Sequence, residues 1–368
     1  MIVRLEKRYG AAGGAGSRLL APLFSLALAF CVGAVIFLLL GVDPLRAYGV
    51  MLKGTFLSWY SLSEVVVRSV PLMFTGLAVA LAATMLLWNI GCEGQLVWGG
   101  ICAAAVALFA SPHLPQGLVL PCMVLAGAAG GALWGLTPAL LKARLGVSEI
   151  LTTLLLNYVA IIYMEHLYFG PWRDPQGYGF PGTAQFEPVA RLPHFFGTRI
   201  HLGFFLALAL AMLTALVLKR TKWGYRVRVT GHNPRAAAYA GMSINRETVL
   251  VMLASGALAG LAGMGEVSGI HFRLQQGLAV GYGYDGIIVA WLARLNPLAI
   301  PLVSLFLGGI IVGGEHLQSV LHLPASISLV LEATLLFGLL TGDLLTGHRL
   351  VIRRGAPVGP PRTSGETQ

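Results

Sequence analysis

The stretch VPLMFTGLAVALAATMLLWNIGCEGQLVWGGICAAAVALFA (residues 70–110) is apolar on both sides of one short break, Asn89-Ile90-Gly91-Cys92-Glu93-Gly94-Gln95. Each flank approaches the roughly 20 apolar residues that a helix needs to cross a bilayer. Similar runs recur along the chain, and the candidate spans are 19–40, 70–87, 96–110, 118–141, 150–169, 202–218, 249–270, 284–293, 298–312 and 327–345. The third, eighth and ninth are short. Of 368 residues 56% are hydrophobic and 11% charged, less than half of the roughly 25% charged residues that wet a soluble domain. Mean hydropathy is +0.76. The expected fold is an all-α polytopic transmembrane bundle of about ten helices, with lipid as its solvent.

The net charge of +10 sits in the gaps between apolar runs and forms no single patch, a pattern of membrane topology that excludes nucleic acid as a partner. With the N-terminus in the cytoplasm and ten spans alternating, cytoplasmic segments hold 18 of the 25 Lys and Arg residues. Both termini are then cytoplasmic. The chain divides into a cytoplasmic segment at 1–18, a transmembrane domain at 19–345 with a long cytoplasmic loop at 219–247, and a cytoplasmic tail at 346–368, expected to be disordered. Residues 19–40 exceed the roughly 7–15 residues of a signal-peptide core and carry no clear cleavage motif, so they are the first span. Of the two long external segments, 41–69 carries Trp59 and Tyr60 and fits the membrane interface, and 170–200 is rich in Gly, Pro and aromatics and is expected to be ordered.

No catalytic signature is present: there is no P-loop, no H-E-x-x-H and no G-x-S-x-G. The four cysteines form no C-x-x-C, and the histidines lack metal-ligand spacing. Three constellations remain. In the break, Asn89, Glu93 and Gln95 bring a carboxyl and two amides to membrane depth or its edge. Irregular backbone survives there only where protein or a wet cavity satisfies it, so Glu93 is a structural, gating or substrate-contacting residue, or else a solvated cap on a cytoplasmic turn. Along 148–158, Glu149, Thr152, Thr153, Leu156 and Asn157 recur at helical spacing and form a polar stripe that faces either another helix or the translocation path, with Ser148 as the helix cap. In the basic loop, Asn233-Pro234-Arg235-Ala236-Ala237-Ala238-Tyr239-Ala240-Gly241 has a cap, a first-turn proline, an alanine-rich interior and a terminating glycine. Such a helix is shaped either to enter a cleft in a partner or simply to lie solvated.

Weak internal echoes suggest an inverted repeat. Residues 75–80 match 255–260, and Gly91-Cys92-Glu93-Gly94 matches Gly283-Tyr284-Asp285-Gly286. Gly130-Gly131 also precedes Val147-Ser148 by about the interval between Gly308-Gly309 and Ala325-Ser326. Chance similarity between runs of small residues competes with this reading.

Four motifs recur in order: the break at 89–95; Gly146-Val147-Ser148-Glu149-Ile150 leading to Leu156-Asn157-Tyr158; Gly231-His232-Asn233-Pro234 with Tyr239-Ala240-Gly241; and Ser255-Gly256-Ala257-Leu258-Ala259-Gly260-Leu261-Ala262-Gly263. Together, over about 65–345, they resemble the bacterial ABC-transporter permeases of the simple-sugar and nucleoside uptake group, within the branched-chain amino acid/ribose permease family. Cys92 stands where that group usually has a small residue such as alanine, and His232 and Arg235 replace commoner choices.

The resemblance implies a permease subunit in the bacterial inner (plasma) membrane that moves a small polar solute, nucleoside before sugar, by alternating access. It implies no catalysis and no cofactor in this chain, because ATP and Mg are bound by a partner ATPase. A second homologous permease and an extracytoplasmic solute-binding protein complete the partners. Gly231, Asn233, Pro234, Arg235, Ala237, Tyr239 and Gly241 then belong to the coupling element, while Asn89, Glu93, Gln95, Glu149, Asn157 and Asp285 belong to the translocation pathway or its gate. The competing reading is an ion-coupled secondary transporter in which Glu93, Asp285 or Glu266 carries protons.

Overall fold

The computed structural model describes residues 2–7, 15–324 and 326–353. They divide into two compact units, one formed by the terminal segments Met1–Val32 and Ala333–Gln368, the other by Gly33–Glu332. In the first unit, strand β1 (Ile2–Lys7) pairs antiparallel with β2 (His348–Arg353), Ile2 opposite Arg353 and Lys7 opposite His348. This short ribbon is a small addition to the expected all-α fold and includes 348–353 of the tail expected to be disordered; residues 354–368 of that tail lie outside the described residues.

Helix α1 (Ala15–Leu39) runs from the first unit into the second and turns by 116° into α2 (Pro44–Phe56). Asp43 accepts from the Leu45 amide and Pro44 occupies the first turn, so the local sequence starts α2 where the hydropathy reading saw only an interfacial stretch. Helix α3 (Trp59–Ala83) begins eleven residues before the expected span, capped by Ser58. Its first turns carry Glu64 and Arg68, polar enough to mask a span on hydropathy. They are tolerated because Arg199 pairs with Glu64 at 3.0 Å and Glu315 pairs with Arg68 at 2.6 Å.

After the break come α4 (Cys92–Ala105), prolonged by a π-helical turn at Val106–Ala110, α5 (Gln116–Leu145), α6 (Glu149–Phe169) and α7 (Leu202–Arg220). The basic loop folds into two helices, α8 (Lys222–His232) and α9 (Pro234–Tyr239), of which the sequence reading recognised the second. Then follow α10 (Ile244–Glu266) with a π-helical turn at Val267–His271, α11 (Tyr282–Leu292), α12 (Ile300–Leu321) and α13 (Ser326–Gly347). Among the described residues seven helices are long and apolar enough to cross a membrane, or eight if the bent α1–α2 pair is one span. Helix α11 has 11 residues, about 16 Å of rise, so it does not reach the length of a span by itself.

The core of the second unit is the seam of α10 with α4 and α5. Lipid supplies no hydrophobic drive between helices, and small residues let their backbones approach. A Cβ at Gly263 would overlap the Leu96 carbonyl of α4, and one at Gly256 would overlap the Gly131 carbonyl of α5. The motif at 255–263 is therefore the packing edge of α10.

Segment 170–200 is ordered, as expected. The Thr183, Phe186 and Leu192 amides donate to the Leu274, Phe272 and Ser268 carbonyls, and the Ser268 hydroxyl donates to the Ala190 carbonyl. His201 closes the segment fully buried, with its Nδ1 accepting from the Gly203 amide. Burial, then the neighbouring His194 and Arg199, push its pKa down to about 4, so the folded segment holds the neutral ring.

Two outcomes follow. Gly263→Ala should lower the thermal midpoint of the detergent-purified protein, read by size exclusion after heating, by an overpacking cost of about 1–3 kcal/mol; Gly117→Ala, which meets open space, should not. Because His201 is depressed relative to an unfolded histidine near 6.5, its contribution is intact above that value and is lost as pH falls towards 4. Proteolytic nicking within 170–200 should accelerate between pH 7 and 4.5, and less so in His201→Gln.

Candidate functional site

The break between α3 and α4 lies inside the bundle. The Asn89 and Gln95 side-chain amides bond each other in both directions, at 2.9 and 3.1 Å. Asn89 Nδ2 also lies 2.8 Å from the Ser255 hydroxyl, which donates to the Ala78 carbonyl. Ser255 is the twelfth residue of α10, about 16 Å along its axis, so the break sits well within the membrane helices. Glu93 is 1% exposed. The solvated-turn alternative for Glu93 is therefore discarded.

Glu93 reaches across to α11. One carboxyl oxygen accepts from the Gly281 amide at 2.8 Å, the other from the Gly283 amide at 2.6 Å. Helix N-termini leave their first amides without intrahelical partners, and here a side chain at the start of α4 satisfies two at the start of α11. The N-terminus of α4 is held in turn by α6: Asn157 Oδ1 accepts from the Gly94 amide at 2.8 Å, while its Nδ2 donates to the Ile90 carbonyl and lies 3.1 Å from the Tyr284 hydroxyl. Two broken helices thus meet N-terminus to N-terminus, joined by Glu93 and braced by Asn157.

The stripe on α6 resolves the same way. Glu149, Thr153 and Asn157 are buried at intervals of four, facing neighbouring helices. Glu149 accepts from Lys142 Nζ at 2.6 Å, tying the start of α6 to the last turn of α5. Ser148 stands at the cap position but makes no capping bond with its side chain. Asp285 lies within the first turn of α11, in electrostatic reach of Glu93 and Glu332, and its carboxyl makes no hydrogen bond or ion pair among the described residues. The fold therefore gathers Asn89, Glu93, Gln95 and Asn157, sets Asp285 beside them, and leaves Glu149 at the far end of the stripe.

Sequence reading missed a second polar group. Arg68 of α3 bonds the Tyr282 hydroxyl of α11 at 3.1 Å as well as Glu315 of α12, and the Thr75 hydroxyl sits 2.9 Å from the Tyr282 carbonyl. One signal was available: Arg68 is a lone cation inside Val65-Val66-Val67-Arg68-Ser69-Val70.

In the basic loop, Asn233 accepts from the Ala236 amide at 3.1 Å, Pro234 opens α9, and Gly241 ends it at φ +75°, the left-handed conformation that glycine adopts without strain. Arg235 and Tyr239 are exposed. Ala237, grouped above with the docking residues, is fully buried and packs α9 inward instead. Gly231 is buried too: a Cβ there would overlap the Thr84 carbonyl at the end of α3. The loop thereby rests on the strand of chain that leads into the break.

Broken helices joined inside an apolar bundle, with a capped helix on a basic loop outside it, define a membrane permease. Comparison with known proteins names the family: its model, branched-chain amino acid transport system / permease component, matches residues 61–340. The chain belongs to this family. It is 36% identical to the glucose ABC transporter permease protein TsgB13 of Haloferax volcanii, covering 94% of both chains. It is 33% identical to the guanosine ABC transporter permease protein NupP of Bacillus subtilis, over 87% of this chain and 93% of that one. The nucleoside ABC transporter permease protein NupB of Lactococcus lactis is 28% identical over 87% and 90%.

Glu93→Gln tests the joint. A glutamine accepts through one oxygen only and turns an N–H towards the second glycine amide, a loss of about 1.5–3 kcal/mol. Uptake should fall several-fold further than the membrane level of the protein. Asn157→Leu should lower the thermal midpoint, whereas Asp285→Asn, which breaks no bond, should leave it unchanged. Normal uptake by Glu93→Gln at normal expression would remove the joint from the mechanism.

Proposed function

We propose that the chain is the membrane-spanning subunit of an ATP-binding-cassette importer that moves a small polar solute by alternating access, with ATP hydrolysed in a partner ATPase. The observation that carries this reading is the seat of Gly231 on the Thr84 carbonyl. From α9, a continuous packed path runs through α8 to residues 84–88, then to Asn89 and the Glu93 joint. A push on α9 from a docked ATPase would reach the meeting point of α4 and α11, an element with two possible arrangements. The docking face is formed by the exposed Arg235, Ala236, Ala238 and Tyr239.

The solute is a nucleoside in our reading, in keeping with the relatives named for guanosine and nucleosides; the relative named for glucose favours a simple sugar as the second reading. A solute-binding protein would deliver it, and a second permease would complete the pathway. The antiparallel pairing of β1 with β2 supports both termini on one side, because hydrogen-bonded strands cannot straddle a bilayer and the chain between them must cross an even number of times. The basic loop supports that side being the cytoplasm. Ten crossings fit if α11 and the chain before it count as one broken span. An acidic residue in the first turn of both α4 (Glu93) and α11 (Asp285) supports the inverted repeat.

The secondary-transporter alternative is less consistent with Glu93, whose two oxygens are both engaged by backbone amides. Uptake by this chain alone in proteoliposomes, driven by a pH gradient, would overturn the importer reading. Competition between labelled guanosine and glucose in the assembled transporter separates the two solute classes. Ala238→Trp should leave the permease at its normal level yet abolish ATPase co-purification and solute-stimulated ATP hydrolysis. Ala237→Trp should instead lower the amount of folded protein. If Trp at 235, 236, 238 and 239 each leaves ATPase association and uptake intact, α9 does not couple the subunits.

A further inference from the structure

Beside α9 the basic loop encloses a cavity of about 730 Å³. Its walls are the last turn of α7 (Lys219, Arg220), α8 (Lys222, Arg226, Arg228), the start of α10 (Arg246, Glu247) and the linker 240–243 that joins α9 to α10. Six cations thus face a single carboxyl. Glu247 is buried 3.6 Å from Arg226, so its charge serves that arginine. Among the described residues Lys219, Arg220, Lys222 and Arg246 have no ion-pair partner, and all four are exposed. A sphere of this volume is about 11 Å across, comparable with the ~8 Å Debye length of a physiological medium, so these like charges still repel although salt weakens the repulsion.

The positive-inside tendency explains cations near a membrane surface, but not their convergence on one cavity. Two features identify what relieves the repulsion. Arg220 ends a membrane span, so the cavity opens at the level of the lipid headgroups. Tyr225, an exposed aromatic of the kind found at that depth, lines it as well.

We infer that this cavity binds the phosphate of an anionic phospholipid headgroup and that the bound lipid bridges the end of α7 to the linker behind α9. Clusters of four to eight Lys and Arg residues immediately cytoplasmic of a membrane helix select anionic lipid in this way. The lipid holds α9 in position for docking. That bridging role rests on the proposed coupling function; the binding itself does not.

The test is native mass spectrometry of the detergent-purified permease titrated separately with phosphatidylglycerol, phosphatidylcholine and glycerol phosphate. Phosphatidylglycerol should be retained in preference to phosphatidylcholine. Lys222→Gln/Arg246→Gln should weaken that retention at least about tenfold, two phosphate-facing charges being lost. Lys53→Gln/Arg144→Gln removes the same net charge elsewhere and should leave it intact. Size exclusion of both double variants confirms folding, which is expected because all four side chains are exposed. Equal retention by the Lys222/Arg246 variant overturns the site, and displacement of the lipid by glycerol phosphate at equal concentration assigns the cavity to a soluble phosphate instead. In nanodiscs of phosphatidylcholine alone, loss of ATPase co-purification by the Lys222/Arg246 variant but not by the parent makes the cavity a protein contact and overturns the lipid reading. Lipid retention that leaves ATPase association unchanged keeps the site and removes the bridging role.

Discussion

The two bonds from Glu93 to the Gly281 and Gly283 amides are the constraint on which the interior depends. A helix that begins inside a membrane bundle exposes amides that lipid cannot satisfy, at a cost of several kcal/mol each. Two such helices meeting at their N-termini add a repulsion, since each end carries about half a positive charge. One acidic side chain answers both problems, accepting from the free amides and placing negative charge between the two positive ends. Asn157 and the Asn89–Gln95 pair complete the arrangement, so that α4, α6, α10 and α11 meet around a single network of hydrogen bonds.

That network tolerates little displacement because the surrounding seams are backbone against backbone. Where α10 touches α4 and α5, glycines leave no side chain to yield, and a shift of α10 moves Ser255 and with it Asn89. The same logic extends outward through Gly231 against Thr84. Close packing makes such joints switch between discrete arrangements instead of deforming smoothly. The alternating access proposed above would need rigid pieces and a few hinges, and the broken helices are suited to supply both.

Local signals account for what the sequence by itself determined. Apolar run length separates lipid-facing chain from loops, which identified the membrane class and located most helices. Asn233, Pro234 and Gly241 carry their capping chemistry in their own backbone and side chains, and α9 lies where they put it. The ordered motifs at 89–95, 146–158, 231–241 and 255–263 were sufficient to recognise the family.

Tertiary structure decided everything that depends on a partner distant in sequence. Helix α3 extends to Trp59 because Arg199, Glu315 and Tyr282 satisfy its polar first turns, and no window of local hydropathy contains those residues. Ala237 looks equivalent to its neighbouring alanines until α9 is packed, when it alone of 236–238 turns inward. Glu93 could have been a solvated cap by its sequence context. Its role comes from glycines nearly 190 positions away, because a hydrogen bond inside a membrane bundle is chosen by which helix ends the fold brings together.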